Sequence, residues 1–455
     1  RWSDAYALGD DFEANLALNP LQSFFSSLKF RHASYDAAKL KKSYPWLSSY
    51  LDVDHPDSAG FSFTRSFPAR AGDNLPQNVV IVLCESFSGY KSSMYGNPLN
   101  TTPYFDSLSR QGLFFSRCFT PHYGTARGVW AVITGIPDVS LTKTASRNPA
   151  AVNQRTIIND FKDHDKFYFI GGSTSWANIR GLLTNNIQGL KLYEEEDYNA
   201  PKEDVWGISD KNLFLEANKV LAGQQKPFFA IIQTAGNHRP YTIPEEDRKA
   251  FEVKKIPADS LKKHGFATLE EYNAFRYTDF TIHSFMKAAA KEKYFSNTLF
   301  VFVGDHGIRG DAGDMFPEAW TEQGLTTVHV PLLFYYPKGL RPGLVNAPAS
   351  QVDILPTVAG ICGISYTNTT LGEDLTSGKR GRWAFILDPD IRQIGVVDSS
   401  FYYNYKLNSG QESFTSLNDN RRVKAGQETI REYRIATDAF YEASRYLLLN
   451  NKKKN

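Results

Sequence analysis

The sequence predicts an α/β fold in which a mostly parallel central sheet is flanked by helices and followed by a smaller C-terminal α+β segment. The first observation is a set of short, continuous apolar runs: "NVVIVLC" (78–84), "KFYFI" (166–170), "PFFAIIQ" (227–233), "NTLFVFV" (297–303) and "VPLLFYY" (330–336). They lack the apolar–polar alternation of a half-solvated strand, so they read as strands buried on both faces, the habit of parallel sheets. The second is that helical patterns separate them, as βαβ units require. The third is a change of texture near residue 378, where the runs become shorter and more mixed.

Taken in order, residues 1–75 mix aromatic and polar residues and include the helix-like "NPLQSFFSSLKF" before a Gly-, Asp- and Pro-rich passage. We expect a helical lead-in there, a catalytic domain over 76–365 and a C-terminal α+β subdomain over 366–455. Within the middle portion, "TTPYFDSLSRQG" (101–112) offers threonines as helix caps, Pro103 for the first turn and Gly112 as a terminator, and 269–290 predicts one long helix. The C-terminal part ends in the amphipathic "IREYRIATDAFYEASRYLLL" and a basic tail that includes Lys452, Lys453 and Lys454, read as a frayed, solvated end. No internal repeat or low-complexity tract interrupts this order.

Composition narrows the function classes. A chain of 455 residues exceeds what one core usually organises, and 42 % hydrophobic with 22 % charged residues places it among globular proteins. A formal net charge of +2 argues against an extended nucleic-acid footprint. No apolar run approaches the roughly 18 residues of a spanning helix, and a chain opening at Arg1 rather than methionine reads as a fragment or processed product. Cys84, Cys118 and Cys362 are spaced neither as a metal site nor as a disulfide framework.

In a parallel sheet the strand C-termini share one edge, and ligands bind outside it. "LCESFSGY" follows the first run, "GGSTSWANIRG" the second, "TAGNHRPY" the third and "GDHGIRG" the fourth, which brings Glu85, Trp176 to Arg180, His238, and Asp305 with His306 to that edge. Glu85, Asp305 and His306 combine carboxylate oxygens with an imidazole, a set suited to a divalent cation. Thr125, in "YGTARG" ahead of an apolar helical run, would complete the site. A threonine before a helix is commonly a cap, but beside a cation and free helix amides its hydroxyl is a nucleophile placed to face phosphorus. His329 fits the core as well as the site, His122 lies three residues before Thr125 but is assigned no role, and the acidic run from Glu194 to Asp197 reads as a solvated loop.

Together "NVVIVLCESF", "TTPYFDSLSRQGLFFSRCFT", "YGTARG", "GNHRPY" and "FVGDHG" resemble the lipoteichoic-acid-synthase-like phosphoglycerol transferases of the alkaline phosphatase and sulfatase superfamily, over roughly 76–365. The resemblance implies an extracytoplasmic catalytic domain at the bacterial cell membrane, tethered by N-terminal transmembrane helices absent from this chain. It implies one divalent metal ion, manganese with zinc or magnesium as alternatives, held by Glu85, Thr125, Asp305 and His306. Thr125 would be the nucleophile and His238 a substrate-side proton donor, with Trp176, Arg180 and Arg127 completing the substrate-binding set. A phospholipid donor and a glycan or polymer acceptor are the implied partners, and nucleic acid is not among them. "YGTAR" stands where a sulfatase would carry a CxPSR-like formylglycine precursor, which disfavours sulfatase activity. A phosphoethanolamine transferase, a phosphodiesterase or phosphatase of the same superfamily, and an inactive lipid- or partner-binding protein remain the alternatives.

Overall fold

The computed structural model describes residues 34–72, 74–379, 381–420 and 423–453, so "NPLQSFFSSLKF" lies outside the described residues. Its centre is a nine-stranded sheet ordered Gly343–Val345, Leu113–Phe119, His329–Tyr335, Thr298–Gly304, Asn78–Cys84, Phe228–Gln233, Asp165–Ile170 and Leu190–Tyr193, with Ala349–Ser350 also paired to Leu113–Phe119. This is the mostly parallel α/β sheet that the sequence predicts. All the residues of Asn78–Cys84, Phe228–Gln233 and Thr298–Gly304 are buried, because βα crossovers cover both faces of strands that run parallel.

Three sequence expectations need correction. The run at 330–336 is antiparallel to both of its neighbours, since continuous apolarity reports burial on two faces and carries no strand direction. Thr102 occupies the N-cap position of the Pro103–Ser109 helix without capping it. Its hydroxyl instead accepts from the Ser93 amide, while Asp279, from the long helix Leu269–Ala289, accepts from the amides of Tyr104 and Phe105 at 3.1 and 2.8 Å. Lys453 is tied down, its amine donating to the Asn185 and Val152 carbonyls.

The main core contains one face of the sheet together with the helices Ala37–Tyr50 and Gln427–Asn450, which pack against each other. A four-stranded antiparallel sheet, Ala384–Asp388, Gln393–Val397, Phe401–Lys406 and Glu412–Ser416, forms the C-terminal α+β segment with the second of those helices. The three cysteines are buried free thiols.

Candidate active site

The helix Thr125–Thr134 begins at the carboxyl edge of the sheet, with Gly124 as its N-cap at φ 101°. That conformation disfavours any side chain, and it places Thr125 as the first helical residue rather than as a cap. The Thr125 and Ala126 amides have no intrahelical acceptor and stand at the positive end of the helix. The helix is buried over nearly its whole length and touches the strand edge through Gly128, where a Cβ would lie 2.4 Å from the Asp305 carbonyl oxygen. Only a residue without a side chain allows that approach.

This docking sets Thr125 against the acidic cluster, with its hydroxyl donating to Glu85 Oε2 at 3.2 Å. Glu85, Asp305 and His306 each present one ligand atom, all within 4.8 Å of one another. The remaining lone pairs are committed elsewhere. Asp305 Oδ1 accepts from the amides of Ser86 and His306 at 2.8 and 2.7 Å, and His306 Nδ1 donates to the Gly307 carbonyl at 2.8 Å. That leaves His306 Nε2, 3.7 Å from both Glu85 Oε1 and Asp305 Oδ2, as the nitrogen facing the cluster. Asp305 Oδ2 is buried without a hydrogen-bond partner among the described residues. Burial, then the Glu85 charge, raise the Asp305 carboxyl well above its ordinary range. Burial alone would lower His306, but the Asp305 and Glu85 carboxylates outweigh it and hold the imidazole above its usual value. An orphaned carboxylate oxygen beside an oriented imidazole and a second carboxylate fits a divalent cation of borderline character.

The cluster opens into a cavity of about 530 Å³ whose wall includes Glu85, Thr125, Arg127, Trp176 and His238. Trp176 is presented by a strained turn in which Ala177 (φ 50°) and Asn178 (φ 60°) both adopt left-handed conformations. Ser146 pins that turn from two sides, its Oγ donating to the Ala177 carbonyl at 2.6 Å and its own carbonyl accepting from Asn178 at 2.7 Å. Arg127 reaches the cavity wall, yet its guanidinium bonds to Asp138 at 3.2 Å and to the Ser140 carbonyl at 2.6 Å. Arg180 pairs with Glu194 at 2.7 Å, next to the cavity-lining Glu195.

Other residues surround the site in ways that spacing did not announce. The acidic run is partly built into the wall: Glu194 also accepts from the Thr174 amide and hydroxyl, and Glu195 lines the cavity in an ion pair with Lys202 at 3.0 Å. Trp206 joins the same wall. His122 is buried and kept neutral, first by desolvation and then by Arg127. His329 belongs to the core, caged by Tyr95, Trp320, Phe316 and Phe119 with Nε2 on the Ser116 carbonyl.

Comparisons with known proteins give the family and the fold. The sulfatase family model matches residues 77–364. Among curated proteins, the chain is 22 % identical over 392 residues to the lipoteichoic acid synthase-like YvgJ of Bacillus subtilis, covering 82 % of this chain and 59 % of that protein. It is 25 % identical over 334 residues to lipoteichoic acid synthase 1 of Bacillus subtilis, covering 67 % of this chain and 49 % of that protein. The chain thus spans about half the length of these relatives. Among solved structures, an alkaline phosphatase superfamily protein from Vibrio parahaemolyticus superposes with a TM-score of 0.72 at 21 % identity, covering 92 % of this chain and 98 % of that one. The lipoteichoic acid synthase LtaP of Listeria monocytogenes superposes with a TM-score of 0.69 at 19 % identity, covering 85 % of this chain and 97 % of that one. With a family model matched across more than half its length, on a superfamily fold whose strand edge carries the Glu85–Asp305–His306 cluster, the chain belongs to the sulfatase family.

Proposed function

We propose that the chain is the catalytic portion of a phosphoglycerol transferase, moving phosphoglycerol or a related phospho-head group from a phospholipid to an envelope glycan or polymer acceptor. The observation that carries this reading is the Thr125 hydroxyl, held at a helix N-terminus against Glu85 on the wall of a cavity large enough for a head group. The names of the curated relatives, two lipoteichoic acid synthases or synthase-like proteins among them, support the substrate class.

Glu85, Asp305, His306 and the Thr125 hydroxyl would hold one divalent cation, for which manganese is our assignment. When bound, it supplies Lewis-acid neutralisation of charge at the phosphoryl group and favours the alkoxide form of Thr125. The residues of the chain do the rest. Thr125 Oγ attacks phosphorus, its proton passing toward Glu85 Oε2, the acceptor it already faces. The new Oγ–P bond forms as the bond from phosphorus to the diacylglycerol oxygen breaks. The amides of Thr125 and Ala126 stabilise the phosphoryl oxygens, and His238, protonated on Nε2 as well as on Nδ1 for this half, gives the Nε2 proton to the departing oxygen. In the second half the acceptor hydroxyl attacks the same phosphorus and gives its proton to His238 Nε2, while the Thr125 Oγ–P bond breaks and the proton held on Glu85 Oε2 returns to Oγ. Trp176 forms the wall against which the head group lies. We place this reaction at the extracytoplasmic face of the bacterial membrane. No helix among the described residues is long and apolar enough to cross a membrane.

Intact-mass analysis of wild type and Thr125→Ala, incubated with manganese and phosphatidylglycerol or phosphatidylethanolamine, tests the reading. A head-group phosphate adduct on the wild type alone supports it and names the donor. Steady release of the head group into water without an acceptor makes the protein a phosphodiesterase, and no adduct in protein shown to hold manganese refutes the covalent route.

A further inference from the structure

The segment from Trp206 to Asp210 leaves a short hairpin, Lys202–Asp204 paired with Gly207–Ile208, and enters the helix Asp210–Ala222. The Ile208 amide fixes it to the Gly171 carbonyl at 2.9 Å, beside the end of a central strand. Two of its side chains hold the loop that carries His238. Asp210 is buried and accepts from the amides of Ala235 and Gly236 at 2.9 and 3.0 Å, at the start of that loop. Trp206 holds the other end. Its indole Nε1 donates to the Arg239 carbonyl at 2.7 Å, and its ring centroid lies 4.0 Å from that of His238, at an interplanar angle of 52°.

The Arg239 carbonyl has a second neighbour, His238 Nδ1 at 3.0 Å. A carbonyl can only accept, so Nδ1 carries the proton and Nε2 is the nitrogen left for the cavity that Trp206 and His238 both line. One oxygen therefore receives both N–H groups, and the indole decides where that oxygen sits. We propose that Trp206 is the positioning residue for His238, fixing its tautomer and ring orientation through the shared Arg239 carbonyl and through direct ring contact. The proton-transfer consequence rests on the transferase reading above, whereas the positioning itself does not. Asp210 provides the fixed base for the loop, and Trp206 sets its reactive end.

Nuclear magnetic resonance of the His238 ring in the full chain tests the proposal, with Trp206→Phe, Trp206→Ala and His238→Ala as comparisons and thermal melts to establish folding. Wild type is expected to show the Nδ1–H tautomer and ring protons displaced by the neighbouring aromatic. Trp206→Phe keeps an aromatic displacement but loses the single tautomer, because the indole donor is gone, and Trp206→Ala loses both. A His238 spectrum unchanged in Trp206→Ala overturns the proposal. The intact-mass time course for discharge of the Thr125 adduct reads the functional side. Trp206→Ala is expected to slow discharge at least tenfold, and the double variant Trp206→Ala/His238→Ala to be no slower than His238→Ala alone. Additive losses would mean that Trp206 acts other than through His238 and would also overturn the proposal. If wild type forms no adduct, the transferase reading falls, and the spectra still decide the role of Trp206.

Discussion

Gly128→Ala isolates the contact that brings Thr125, the nucleophile we propose, to the cluster. The added Cβ would stand 2.4 Å from the Asp305 carbonyl oxygen and 3.1 Å from its carbon, both backbone atoms. A comfortable C···O approach is about 3.3 Å, so the helix or the strand end must retreat by roughly 0.9 Å. Intrinsic propensity favours the substitution by about 1 kcal/mol in a helix interior, while overpacking a dense core costs about 1–3 kcal/mol, which leaves a net destabilisation near 1 kcal/mol. Activity should fall further than stability. The Thr125 hydroxyl sits three residues along the same rigid helix and now contacts Glu85 at 3.2 Å, and a displacement near 1 Å of a reacting group costs about 100-fold. The rate of Thr125 adduct formation, measured by intact mass beside urea denaturation of the same samples, checks both numbers. A variant about 1 kcal/mol more stable than wild type and equally fast would refute the argument, because it would show that the close approach constrains neither packing nor chemistry.

Removing divalent cations with a chelator should lower thermal stability, and manganese at 100 times its dissociation constant should restore about 2.7 kcal/mol. Calorimetry should show that restoration lost in Asp305→Asn, which keeps an acceptor for the two amides but removes the charge of the orphaned oxygen. Ser146→Ala removes the hydroxyl that holds the Ala177 carbonyl, so it should cost about 1 kcal/mol in urea denaturation and raise KM for the donor more than it changes kcat, since Trp176 is presented by that turn. Asp279 makes a pH prediction: burial, opposed by its bonds to the Phe105 and Tyr104 amides, pushes its carboxyl up to about 6. A raised acid pKa means the folded state bears the cost of the charge, fully above about pH 6 and not at all below the unfolded value near 4. Relative to Asp279→Asn, wild type should gain up to about 3 kcal/mol as pH falls from 7.5 to 4, and parallel stability profiles of the two proteins would contradict this.

What could be read from the sequence follows from the range over which each signal acts. The five buried strands were legible because double burial removes alternation within a single run, and the residues immediately after them were legible because a parallel sheet fixes where strand ends lie. Glu85, Asp305 and His306 meet in the structure for that reason alone. Direction was not legible for His329–Tyr335, because an apolar run looks the same in either sense. Neither was the strand Leu113–Phe119, whose half-exposed Ser116 and Arg117 interrupt the apolar pattern at the edge-side of the sheet. The true cap of Pro103–Ser109 comes from Asp279, about 175 residues away, a distance at which no local pattern operates. Arg180 shows the same limit of range: the turn at Ala177 and Asn178 is followed by a guanidinium paired with Glu194, a partner that no local pattern around "WAN" announces.

The arrangement of hydrogen bonds around the cluster suits the cation and nucleophile roles we propose for its residues. Asp305 and His306 each have one atom bound by protein groups and another left toward the centre, while Glu85 Oε2 takes the Thr125 hydroxyl. The Ser86 and His306 amides take Asp305 Oδ1, the Gly307 carbonyl takes His306 Nδ1, and the Ser86 hydroxyl donates to Glu85 Oε1 at 2.7 Å. Backbone groups supply most of these bonds, so orientation is set by the chain path after two neighbouring strands, Asn78–Cys84 and Thr298–Gly304, paired from end to end. A side-chain network would have to order its own members first, whereas amides at the end of a buried strand are already fixed when the sheet forms. The same economy governs Thr125, whose place depends on a helix docked through Gly128 onto the very residue, Asp305, that supplies the orphaned oxygen. Thr125 and Asp305 therefore share one backbone contact, and any shift that loosens it moves both at once.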